Sequence, residues 1–190
     1  AILKLDKLGI QVGYPDKIPA LYDQFKVDEE ESLIANLNQL IVTANKELFS
    51  RWNTPVDRMR WEMSAATVNA YYHPFKNIIV FPAAILQAPF YSLKQSSSQN
   101  YGGIGAVIAH EISHAFDNNG SLFDEFGNLN NWWTDEDSAH FKQLAQKMID
   151  EFDGIPFAGQ KVNGKLTVSE NIADAGGLSC ALEAAKTEAD

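Results

Sequence analysis

Two histidines and a glutamate fall within five positions at His110-Glu111-Ile112-Ser113-His114. On a helix, residues i and i+4 lie one turn apart on the same face, so both imidazoles can reach a common point. Neutral imidazole nitrogen suits Zn²⁺, which takes it at about 2.0–2.1 Å in a tetrahedral site with one position open. Glu111 sits beside the pair, placed to touch a water at such an ion without taking a metal position. With four histidines and twelve glutamates in 190 residues, the H-E-x-x-H pattern arises by accident in roughly one such chain in 200, so its surroundings must decide. A second pair with the same spacing follows at Glu170-Asn171-Ile172-Ala173-Asp174. From one helical turn, one carboxylate can bind a metal while the other accepts a hydrogen bond from a ligating imidazole. Alone, this pair would read as a solvated acidic face; beside H-E-x-x-H it reads as part of a site.

The elements that must carry these residues can be read from pattern. Tyr101-Gly102-Gly103 opens a helix expected to run to about Asn118, with Gly120 ending it. Ile104, Val107, Ile108, Ile112, Ala115 and Phe116 make its flank away from the histidines apolar, which suits a core helix with its polar face on a cleft. Thr167-Val168-Ser169-Glu170 has the spacing of a capping box at the head of a last helix, bent near Gly176-Gly177. Thr134 caps a helix to about Phe152, followed by a loop over residues 154–164. Val68-Asn69-Ala70-Tyr71-Tyr72 and Ile78-Ile79-Val80-Phe81 read as two strands joined by a turn. Nearer the start, residues 9–28 read as a connector with a turn at Gly13-Tyr14-Pro15-Asp16, and Asp28 is expected to cap an amphipathic helix over 29–51. The fold expected is α+β and mostly helical, with a small sheet.

Composition narrows the function. With 45% hydrophobic and 21% charged residues the chain is an ordinary globular one. Its net charge of −10, without clustered basic residues, argues against nucleic acid or an anionic membrane as partner. The longest apolar run, residues 78–86, contains Pro82 and is far short of the roughly 20 residues that cross a bilayer. A lone cysteine, Cys180, reads as a buried thiol and fits a reducing compartment. His73 and His140 read as structural, and Trp132 and Trp133 as packing.

The motifs together resemble the neprilysin and endothelin-converting-enzyme metallopeptidases and their bacterial oligopeptidase relatives. The matching stretches are Val68-Asn69-Ala70-Tyr71-Tyr72, Val80-Phe81-Pro82-Ala83, Asn100-Tyr101-Gly102-Gly103-Ile104-Gly105, the H-E-x-x-H segment, Phe116-Asp117, Trp132-Trp133-Thr134 and Glu170-Asn171-Ile172-Ala173-Asp174-Ala175-Gly176-Gly177. The resemblance implies a zincin-like catalytic domain and a zinc endopeptidase acting on oligopeptides, with one Zn²⁺ per chain. It implies His110, His114 and Glu170 as the metal ligands and Glu111 as general base, with Asp174 orienting His110. Asn69 and Ala70 would bind the substrate backbone, as an exposed strand edge can pair with an extended peptide.

The resemblance also sets expectations about extent. Residues 1–30 are expected to be a connector from a helical domain missing here, and 31–190 the catalytic domain, truncated at its C-terminus. The chain's natural partner is then the missing remainder of its own polypeptide. Family members supply a further histidine and an arginine downstream. Their absence here makes a zinc- or peptide-binding fragment without turnover the alternative expectation. The single cysteine points to a bacterial, cytoplasmic type.

Overall fold

A computed structural model describes residues 1–188 of the chain. They form two compact units: residues Pro15–Trp61 make one, and Ala1–Tyr14 with the chain from Glu62 onward make the other.

The second-named unit holds the sheet and the candidate site. Helix α1 (Ile2–Asp6) leads into strand β1 (Gly9–Gly13). The smaller unit contributes helix α2 (Leu33–Ser50), whose cap is Ser32, its hydroxyl accepting from the amide of Ala35, and not Asp28. Asp28 spends its carboxylate on the amide of Glu30, closing a turn that delays the helix start by four residues. Strands β2 (Tyr71–His73) and β3 (Ile78–Pro82) form the expected hairpin, with Asn77 in the left-handed region at φ 46°, but β2 starts at Tyr71 and not at Val68, because turns that bond the amides of Thr67 and Asn69 to the carbonyls of Ser64 and Thr67 occupy the chain before it. The sheet order is β1-β3-β2, with β3 antiparallel to β2 and parallel to β1. Every residue of β3 is buried, as its unbroken apolar run requires of a strand covered on both faces.

Strand β1 replaces part of the expected connector. Its two glycines and central glutamine carry almost no strand signal, and its partner lies more than sixty residues later, so pairing geometry makes the strand. Gly9 is required there, since a Cβ would come within 2.6 Å of the Ile78 side chain.

Helix α3 (Ser97–Asn100), capped by a Ser96–Gln99 box, widens into a π-helical turn (Tyr101–Gly105) and continues as α4 (Ala106–His114). Helix α4 ends about four residues before the expected point, because the chain folds back onto its end at Gly120, where a Cβ would collide with the carbonyl of His114. Helix α5 (Asp135–Phe152) starts at Thr134 as expected, with Asp135, Glu136 and Asp137 in its first turn. A minimal hairpin of β4 (Pro156–Phe157) and β5 (Gln160–Lys161) fills the expected loop.

Helix α6 (Gly164–Thr187) is capped by Asn163, whose side chain accepts from Leu166, so the Thr167–Glu170 spacing lies inside the helix and caps nothing. The helix continues through Gly176-Gly177. Those glycines serve packing: a Cβ on Gly177 would stand 2.8 Å from the amide nitrogen of His110 and 2.9 Å from the carbonyl oxygen of Ala106. Side-chain loss there lets α6 lie against α4. The core, Ala70, Ile79, Phe81, Ile85 and Ile104 with Val107 and Ile112 against them, joins the sheet to α4. Cys180 is exposed on α6, contrary to the buried thiol expected: it stands at the edge of the face that buries Ala173, Gly177 and Ala181, where no described residue covers it. Among the described residues no helix is long and apolar enough to cross a membrane.

Candidate metal centre

Helix α4 presents His110 and His114 one turn apart, their ring centroids 4.6 Å from each other. Because α6 lies against α4 at Gly177, Glu170 reaches over both rings: its Oε2 is 3.4 Å from Nε2 of His110 and 3.6 Å from Nε2 of His114. One ligand atom from each of the three side chains lies within 4.8 Å of the others.

The opposite ring nitrogens are engaged. His110 Nδ1 is 2.8 Å from Asp174 Oδ1, and His114 Nδ1 is 2.8 Å from Asp117 Oδ2. A carboxylate acceptor fixes the proton on Nδ1 and leaves the Nε2 lone pair free. Two such lone pairs and one carboxylate oxygen converge, which is the donor set of a single zinc ion with one tetrahedral position open. The residues present fit the ion.

Asp117 is the more deeply placed support, its side chain 2% exposed. Its Oδ1 accepts from the amides of Asn119 and Gly120 at 2.7 Å each, and its Oδ2 takes a second donor, the Ser169 hydroxyl, at 2.5 Å. Burial works against its charge, but hydrogen bonds from His114, Ser169 and the two amides outweigh burial and hold its carboxyl below the usual range. Burial likewise opposes the charged form of His114, but Asp117 dominates and raises its pKa. Glu111 is 6% exposed. Burial pushes its carboxyl up, partly offset by His114, His110 and a hydrogen bond from the backbone of Tyr72.

These groups line a cleft of about 430 Å³ whose other wall is Asn69, Ala70, Tyr71 and Tyr72. Asn69 precedes β2 and turns its own side-chain oxygen onto the amide of Ala70 at 2.9 Å. All seven residues singled out in the sequence thus border or support one cleft. The tryptophans are packing, as expected: Trp132 and Trp133 donate to the carbonyls of Phe123 and Ser121. His73 is half-buried and His140 exposed, both outside the cleft lining.

Sequence reasoning assigned no role to Asp117, Ser169 or Lys4. Asp117 follows His114 by three positions, a spacing that could have marked it as a helix-end partner for that imidazole. Ser169, next to Glu170, and Lys4, more than a hundred residues away, carried no local signal.

A mostly helical α+β domain with an H-E-x-x-H helix and a glutamate delivered from a second helix defines the zincin-like class of metal site. The chain belongs to peptidase family M13, which it matches over residues 69–190. It is 60% identical over its whole length to a Streptococcus gordonii protein named for the scaA 5′ region, covering 34% of that protein. To the neutral endopeptidase of Lactococcus lactis subsp. cremoris it is 55% identical, again over its whole length and 30% of the relative. The crystal structure of PepO from Lactobacillus rhamnosis superposes on the whole chain with a TM-score of 0.94 at 46% identity, over 30% of that structure. The chain therefore spans about a third of the length of the curated relatives it matches.

Proposed function

We propose that the chain is the zinc-binding catalytic core of an endopeptidase that hydrolyses peptide bonds in oligopeptides. The observation that carries this is the convergence of His110 Nε2, His114 Nε2 and Glu170 Oε2 while Asp174 and Asp117 hold both Nδ1 atoms. Family membership and the name of the Lactococcus neutral endopeptidase support it.

In this reading His110, His114 and Glu170 hold one zinc ion. Zinc there supplies Lewis acidity, polarising the scissile carbonyl and making a water nucleophilic near neutral pH. Glu111 accepts the proton of the attacking water at its carboxylate and passes one to the leaving amine. Its partial burial raises its proton affinity towards that task. Asp174 and Asp117 hold the two rings at Nδ1 and aim both Nε2 atoms at the ion. Asn69 and Ala70, at the open end of β2, bind the substrate backbone as an added strand would be bound. A cytoplasmic setting belongs to the same proposal; the single cysteine supports it, and cell fractionation is its check.

Metal analysis of the purified protein, paired with turnover of a short fluorogenic peptide, tests the proposal. The expected result is one zinc per chain and hydrolysis that disappears in Glu111→Gln while zinc stays. Zinc binding without any hydrolysis would leave a zinc- or peptide-binding module and overturn the catalytic half.

A further inference from the structure

Lys4 is a buried lysine, 3% exposed, in a helix far from the cleft in sequence. Its ammonium donates to three backbone carbonyls, those of Ala115, Gly120 and Phe123, each at 2.7 Å. An ammonium has three protons, so its donors are fully spent. The rings of Tyr72, Phe116 and Trp132 stand 5.8–5.9 Å from the nitrogen and wall it in. Burial draws its pKa down to about 8, against the attraction of Asp117 and Asp124.

The three carbonyls have a common position. Ala115 is the C-terminal cap of α4, one residue past His114, where unsatisfied carbonyls gather and a cation is favoured. Gly120 and Phe123 lie on the return of the chain after that end. Within this fold-back sits Asp117, held by the amides of Asn119 and Gly120 and holding His114 Nδ1. Residues 115–123 contain no other cationic side chain to draw their carbonyls together. Asn77 ties the lysine's own backbone in place, its amide group donating to the carbonyls of Lys4 and Glu125.

We propose that Lys4 is a positioning residue for the metal centre: by gathering the carbonyls of residues 115, 120 and 123 it fixes the turn whose carboxylate, Asp117, orients His114. The inference rests on the zinc-site reading above. It requires a lysine, since three carbonyls converging on one point match the tetrahedral ammonium and not the planar fork of arginine.

The test is zinc affinity, by competition with a chromophoric chelator, and the visible spectrum of the cobalt-substituted protein, in wild type, Lys4→Met and Lys4→Arg. Loss of an outer partner of a ligating histidine typically costs about 10–100-fold in metal affinity; one step further out, Lys4→Met should cost about 10-fold and shift the cobalt bands, with Lys4→Arg between it and wild type. Added to Asp117→Asn, Lys4→Met should cost little more, because both act on one linkage. If the variants only lower the melting temperature while zinc affinity and cobalt spectrum stay as in wild type, or if the two substitutions add fully, the inference is overturned.

A measurement on wild type covers the case in which Lys4→Met does not fold. Coupling is reciprocal, so zinc should slow amide exchange in α1, read at the Lys7 amide bonded to the Leu3 carbonyl. Unchanged exchange there, while α4 and α6 become protected, overturns the inference and leaves the zinc site standing. Wild-type protein that takes up no zinc overturns both.

Discussion

His110 and His114 stand one turn apart on the same helix, yet the structure supports them in opposite ways. His114 is backed by Asp117, whose side chain is 2% exposed and accepts four hydrogen bonds from His114, Ser169 and two amides. His110 is backed by Asp174, which is 77% exposed and reaches the ring from the turn of α6 that follows Glu170. The difference follows from where the chain goes next. After His114 it folds back at Gly120 and encloses its carboxylate; Asp174 lies mid-helix and faces solvent. One half of the centre is thus enclosed by the fold, and the other faces solvent.

The largest expected effect falls on Glu111, which α4 carries with both histidines. Glu111→Gln should lower peptide turnover by about 10²–10⁴-fold, the range of general acid–base catalysis, with zinc retained, since the amide cannot take the proton. Near-normal kcat would remove Glu111 as the base. Next, Glu170→Ala removes the ligand that α6 contributes. Its zinc affinity should fall by more than the roughly 100-fold that bounds losses of outer partners; an unchanged chelator titration would exclude Glu170.

The two supporting carboxylates test the comparison itself. Asp117→Asn and Asp174→Asn should each weaken zinc binding within about 10–100-fold, Asp117 near the top of that range and Asp174 near the bottom. Only Asp117→Asn should also destabilise the protein, by about 1–3 kcal/mol, because buried donors lose their acceptor. Equal losses in affinity and in denaturant midpoint would erase the distinction between closed and open halves.

The smallest pair probes how α6 is brought to the site. Gly177→Ala forces a Cβ against the backbone of His110 and Ala106 and should cost about 1–3 kcal/mol with some loss of zinc affinity. Gly102→Ala meets nothing within 4 Å and should change stability by less than about 1 kcal/mol. A neutral Gly177→Ala would mean that the helix contact tolerates a shift.

Much of this was legible in the sequence where the signal is local. The i, i+4 pairs at His110/His114 and Glu170/Asp174 sit on helices and the Thr134 cap falls where pattern placed it, while the expected hairpin is present with β2 starting at Tyr71 instead of Val68. What escaped depends on distant chain. Strand β1 has meaning only beside β3, and Lys4 only beside residues 115–123. Capping signals were the weakest guide, since Asp28 and Thr167 are both competent caps whose side chains found other backbone partners. The Gly176-Gly177 pair reads as a bend in isolation and as a helix contact only once α4 is beside it.

In the proposed centre two imidazoles and one carboxylate share a single zinc ion. X-ray absorption at the zinc edge, on protein loaded with one equivalent of zinc, tests it most directly. The expected result is an imidazole signature of two nitrogens at about 2.0–2.1 Å with oxygen at about 2.0–2.2 Å, and loss of an oxygen in Glu170→Ala. A first shell containing sulfur from Cys180, or fewer than two imidazoles, would contradict it.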